Sequence, residues 1–134
     1  MKVEEIMNKK LQTIEPDATV YDAIERLVDK RIRSLVVKPE DEVDVYGVIT
    51  VRDIVFKVIN KALDIKKIKV KEIASKPLVS VSKDTDIKTL INLMATSNIA
   101  RVFVFEEGEI IGVVSLLDIL SASIIERAKE RQCL

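Results

Sequence analysis

The sequence predicts a mixed α/β fold (α+β) made of two copies of one β-α-β-β-α unit, packed around a pseudo-twofold axis. Three observations lead there. The octapeptide GVITVRDI at Gly47 returns 65 residues later as GVVSLLDI at Gly112, in a chain that holds three glycines. The stretch from Val3 to Val37 aligns without a gap on the stretch from Val70, at an offset of 67. Val3 falls on Val70, Ile6 on Ile73, Leu11 on Leu78, Asp17 on Asp84, Val20 on Ile87, Leu27 on Met94 and Ile32 on Ile99. Within both copies, short apolar runs alternate with segments whose apolar residues recur at helical spacing. A period this long and this well kept marks a duplicated supersecondary unit.

The elements follow in the same order twice. QTIEPD and VSVSKD are short extended pieces closed by turn residues. In the first copy Val20, Ala23, Ile24, Leu27 and Val28 then mark one buried face of a helix. Thr19 and Asp22 have the spacing of a capping box at its start. In the second copy Ile87, Leu90, Ile91 and Met94 occupy the same stripe, with Asp86 as the cap. SLVVK and RVFVF are apolar strands, EDEVD and EEGE polar turns, and VYGVIT and IIGVVS the next strands. The longer KPEDEVDVYG of the first copy lowers the offset to 65 at the glycines. A second helix begins at or just after Thr50 and Ser115, carrying Ile54, Val55 and Val58 in one copy and Leu117, Leu120 and Ile124 in the other.

This divides the chain into a first repeat at 1–62, a linker at 63–69 and a second repeat at 70–134. The linker has neither Gly nor Pro, so it is expected to be partly helical. One unit of about 60 residues cannot cover both its sheet face and its helix faces. Two copies face to face solve that, and the apolar helix surface left over predicts a homodimer of pairs.

Composition narrows the chemistry. Lys plus Arg equals Asp plus Glu at 22 each, which sets up no net field for nucleic acid or an anionic membrane. There is no histidine, which removes imidazole acid–base chemistry, Ser-His-Asp and Cys-His nucleophile pairs and His-based metal sites. No P-loop, glycine-rich dinucleotide loop or metal-ligand spacing is present, so an enzyme is not expected. The single cysteine, Cys133, cannot form an intrachain disulfide, which suits a reducing cytoplasm. No run approaches 18 apolar residues, so no membrane span is expected.

The repeated octapeptide holds the candidate site. A strand running into a helix, with Thr50 at the boundary and Asp53 three residues on, has a structural explanation as a capping box. A binding role is compatible with it. Free amides at a helix start suit a nucleotide. A carboxylate there is wrong for phosphate but right for accepting hydrogen bonds from a ribose diol. The sequence leaves both readings open.

The tandem units, each closing on G-h-h-[T/S]-x-x-D-h with h apolar, resemble a pair of cystathionine β-synthase (CBS) domains, a Bateman module, over about residues 2 to 128. The resemblance implies a non-catalytic regulatory module. It would bind an adenosine-containing ligand (AMP, ADP, ATP or S-adenosylmethionine) in two clefts between the repeats and report to a partner protein through a population shift. The alternative is a ligand-free CBS protein used for dimerisation or as a scaffold. Each cleft is implied to mix both repeats. The cleft of Ser115, Leu117 and Asp118 would be walled by Gln12, Ile32 and Arg33, with Arg101 placed to meet phosphate. The cleft of Thr50, Arg52 and Asp53 would be walled by Val79, Ile99 and Ala100. There the counterpart of Arg101 is the uncharged Ser34, which leaves Arg52 or Lys76 to supply a cation and favours the Asp118 cleft.

Overall fold

The computed structural model describes residues 1–132; Cys133, assigned no disulfide from the sequence, and Leu134 lie outside them. The chain forms two compact units. Gln12–Leu78 make one; Met1–Leu11 and the chain from Val79 onward make the other. The two divide the chain differently from the repeats: residues 1–11 join the second repeat's strands, and the segment ahead of Val79 stays with the first repeat's.

The Gln12–Leu78 unit contains β1 (Thr13–Ile14), α1 (Val20–Lys30), β2 (Ser34–Val37), β3 (Gly47–Thr50), α2 (Val51–Ile54) running into a π-helical turn at Val55–Ile59, and α3 (Val70–Ile73). Its sheet has the order β1-β2-β3, with β1 and β2 parallel and β2 and β3 antiparallel. The other unit contains a 3-10 turn (Val3–Glu5), β4 (Ser80–Ser82), α4 (Ile87–Ser97), β5 (Arg101–Glu106), β6 (Glu109–Ser115) and α5 (Leu116–Gln132). Its sheet β4-β5-β6 repeats the same parallel and antiparallel pairings.

Local chemistry explains the element ends. Thr19 Oγ1 accepts from the Asp22 amide while the Asp22 carboxylate accepts from the Thr19 amide, both at 3.1 Å. Asp86 caps α4 by accepting from the Lys88 amide at 3.1 Å. Both helices end on a left-handed residue, Arg31 and Asn98, and the following amides, Ile32 and Ile99, bond back to Leu27 and Met94 at 3.1 Å. This closure turns each helix into its next strand. Glu107 and Gly108 both have positive φ, which makes the β5–β6 connection a tight two-residue hairpin.

Each unit has its own core. Ile14, Val20, Leu35, Ile49, Ile54, Val58 and Val70 cluster in one, and Val3, Leu90, Met94, Val102, Val104 and Val114 in the other. The expected helix stripes are narrower than the sequence periodicity implied. Val28 is 68% exposed, and Ile91 and Val55 also face outward. On α5, Leu117, Leu120 and Ile124 are exposed, and Ile119 packs on the core instead. These outward residues continue apolar grooves, with Val28, Val51 and Ile59 in one unit and Ile91, Leu116 and Leu120 in the other.

The linker differs from expectation too. Residues 61–69 form turns, not a helix. Ala62 adopts the left-handed region, and the Asp64 carboxylate accepts from the Lys66 amide, so local hydrogen bonds outcompete a helical ladder.

The β2–β3 connection is tied down by ion pairs of Lys38 with Glu15, Lys71 with Glu40, and Lys76 with Asp44 at 2.7 Å. The Lys76 ammonium, with the Glu40 and Val45 amides, lowers the Asp44 pKa from 3.8 to about 2. A depressed carboxylate stabilises the folded loop above its unfolded pKa, and that contribution disappears as pH falls through the folded value. An NMR acid titration is therefore expected to show the loop amides shifting with a midpoint near pH 2, well below the ordinary 3.8. Asp44→Asn should remove that transition.

Candidate functional site

In each unit the sequence-predicted residues converge on one end of the sheet. The parallel β1 and β2 begin there and the antiparallel β3 ends there. Ser34, first in β2, pairs with Thr50, last in β3. The Val51 amide donates to Arg33 O at 3.0 Å, and the Val36 amide to Gln12 O at 3.0 Å. Gln12, Ile32, Arg33, Thr50, Arg52 and Asp53 therefore belong to one strand-to-helix neighbourhood. The other unit repeats it. Arg101, first in β5, pairs with Ser115, last in β6. The Leu116 amide donates to Ala100 O at 3.1 Å, and the Phe103 amide to Val79 O at 2.9 Å. Val79, Ile99, Ala100, Arg101, Ser115, Leu117 and Asp118 form the second neighbourhood.

At both junctions the acidic residue completes a capping box with the hydroxyl residue that caps the helix. Asp53 accepts from the Thr50 amide at 3.0 Å through Oδ2, and its own amide donates to Thr50 Oγ1 at 3.0 Å. Asp118 Oδ2 accepts from the Ser115 amide at 2.8 Å and from Ser115 Oγ at 2.9 Å, while the Asp118 amide donates back to Ser115 Oγ at 3.2 Å. The capping reading of the motif therefore holds at both places. It consumes one carboxylate oxygen at each.

The second oxygen separates the two. Asp53 Oδ1 lies 3.1 Å from Lys57 Nζ, four residues along the same helix, and the Asp53 side chain is 16% exposed. Lys57 also donates to Ile73 O at 3.3 Å. At the Asp118 junction, Oδ1 has no partner among the described residues. Lys57 is absent from the sequence-based site, although an Asp with Lys at i+4 on a helix was the signal for it.

The two cations considered for the Asp53 junction are both engaged within their unit. Arg52 lies over the Phe56 ring, 5.0 Å from its centroid. Lys76 is paired with Asp44 at 2.7 Å. Arg101 is half-buried at the head of β5. Leu117 is 69% exposed, just past the start of α5.

Among the described residues no group of three His, Cys, Asp or Glu is placed to hold a metal ion, and no helix is long and apolar enough to cross a membrane.

The comparisons with known proteins agree with this arrangement. The CBS domain model matches residues 3–60 and again 70–125. The chain is 32% identical over 119 residues to the mitochondrial CBS domain-containing protein CBSX3 of Arabidopsis thaliana, covering 87% of this chain and 58% of that one. It thus spans little more than half of that relative's length. Among solved structures it is similar to a hexameric CBS-CP12 protein from bloom-forming cyanobacteria, with TM-score 0.81 and 37% identity over 90% of this chain and 69% of that one. A putative signal-transduction protein with CBS domains from Burkholderia ambifaria matches at TM-score 0.81 and 26% identity, over 93% and 95% of the two chains. With both repeats matched and a three-stranded sheet in each unit, the chain belongs to the CBS domain family, as a tandem pair.

Proposed function

We propose that this CBS pair is a regulatory module, not an enzyme. It binds an adenosine-containing ligand (AMP, ADP, ATP or S-adenosylmethionine) at its strand-to-helix junctions and passes the occupancy to a partner protein. The observation that carries the reading is the Asp118 carboxylate. One oxygen is locked by the capping box; the other has no partner among the described residues and lies beside the start of a helix, one strand from Arg101. A carboxylate so held accepts a ribose diol without reorganising. Cytoplasmic location and self-association as a homodimer belong to the same proposal. The exposed apolar helix residues Val28, Leu116, Leu120 and Ile124 support the self-association.

Thermal unfolding with and without AMP, ATP and S-adenosylmethionine tests it. A ligand at 100 times its dissociation constant should stabilise the fold by about 2.7 kcal/mol. No shift with any of the three would leave the alternative, a ligand-free scaffold whose working surfaces are those apolar helix faces.

A further inference from the structure

The two junctions descend from one repeated sentence, yet they differ around the carboxylate. We infer that Lys57 weakens ribose binding at the Thr50/Asp53 junction by occupying the second oxygen of Asp53, and that the Ser115/Asp118 junction is the tighter site. The inference rests on the proposed reading of these junctions as ribose sites and adds which of them is tighter and why.

Four features of the Asp53 junction carry it. Both carboxylate oxygens are engaged: Oδ2 accepts from the Thr50 amide at 3.0 Å, and Oδ1 meets Lys57 Nζ at 3.1 Å. The ammonium is itself anchored, because it also donates to Ile73 O at 3.3 Å on α3 of the same unit. An incoming diol would have to displace a cation held by two acceptors. The backbone that presents Lys57 is also unusual. After Ile54 the helix widens into the π-turn Val55–Ile59, with the Asn60 amide donating to Val55 O at 2.8 Å. Such turns inside helices are rare and recur at functional positions. Finally, the cations that could meet a phosphate there are spent. Arg52 stacks on Phe56, Lys76 pairs with Asp44, and the strand position beside Thr50 is the neutral Ser34.

Neither the lysine nor the widened turn is repeated at Asp118. The residue corresponding to Lys57 is Ala122, whose methyl group carries no charge. All the capping-box bonds to the carboxylate fall on Oδ2, and among the described residues Oδ1 has no partner. The helix stays α throughout, from Leu116 to Gln132. The strand position beside Ser115 is Arg101.

Calorimetric titration with AMP separates the possibilities. Wild-type protein is expected to show one tight step per chain and a second, weaker one. Lys57→Ala should tighten the weaker step about fivefold, the release expected (~1 kcal/mol) for a partly exposed ion pair. Lys57→Arg, which keeps the pair, should leave it weak. The mirror variant Ala122→Lys should weaken the tight step by a similar factor. Thermal unfolding of each variant confirms that it is folded before titration. Two equal steps in the wild type would overturn the inference and leave the ligand-binding reading standing. An unchanged or weakened second step in Lys57→Ala would overturn it as well, the latter by making Lys57 a ligand contact. If wild-type protein bound neither AMP, ATP nor S-adenosylmethionine, the proposed function would fail and this inference with it.

Discussion

Asp118→Asn is expected to weaken AMP binding about a hundredfold while leaving the thermal midpoint nearly unchanged. The substitution is chosen to separate two jobs of one carboxylate. The cap needs a single acceptor, because both the Ser115 amide and Ser115 Oγ bond to Oδ2. The amide carbonyl of asparagine can fill that role. The other atom then becomes an NH2 group, which donates where ribose hydroxyls must also donate, and the negative charge is gone. Two hydrogen bonds to a charged acceptor, at roughly 1.5 kcal/mol each, amount to about 3 kcal/mol, which is a factor of about a hundred. Against this, Ser115 remains in place as the cap, and losing the charge in the first turn costs a few tenths to about 1 kcal/mol. Calorimetric titration reads the first number and a heat scan the second. Unchanged affinity would mean that the carboxylate caps a helix and does nothing more.

Gly47→Val is expected to cost about 3 kcal/mol of stability, at the upper end for overpacking a filled site, and to lower the thermal midpoint by roughly 10 °C. A Cβ at Gly47 would lie 2.9 Å from the Ser75 carbonyl oxygen. That oxygen is backbone, and it is pinned. The Val48 amide donates to it at 3.0 Å, and the Ser75 amide returns a bond to Val48 O at 2.9 Å. It cannot retreat without breaking the bridge that holds this segment to β3. At Gly112 the corresponding neighbour is Met7, whose Sδ and Cγ would lie 2.6 and 2.9 Å from the new Cβ. A methionine side chain has three rotatable bonds and can swing aside. Gly112→Val should therefore cost about half as much, and heat scans of the two variants compare them directly. Equal losses would show that both sites yield alike.

These contacts also explain why the chain uses two of its three glycines on one sentence. Asn8 bridges to Val113 and Ser75 bridges to Val48, and the two bridges sit at matching places in the repeats. In each unit the segment lying against the third strand is the one that leads into the opposite repeat. Glycine is what lets that backbone approach closely.

The repeat, the order of elements, the helix caps and the hydroxyl–Asp pair at each strand-to-helix boundary were legible in the sequence. Each depends on local spacing: Thr19 with Asp22, Thr50 with Asp53, the apolar period of α1. The same locality explains what was misjudged. Val28, Ile91, Leu117 and Leu120 carry the right period, but period alone does not say whether a neighbouring element arrives to cover them, and none does within their units. The composition of the linker points to a partly helical segment, whereas Ala62 and Asp64 settle it into turns through short-range bonds.

By itself, then, the sequence determined that one unit is written twice and that a carboxylate stands at the head of each second helix. Only the tertiary structure decided that residues 1–11 pack with the second repeat's strands and that the segment ahead of Val79 stays with the first repeat's. It also decided which members of the helix stripes stay uncovered, Val28, Ile91, Leu117 and Leu120 among them. The physical reason is the range of the forces. Caps and the Asp53–Lys57 pair are set by residues three or four apart, but the burial of a periodic face depends on whether a segment distant in sequence packs against it.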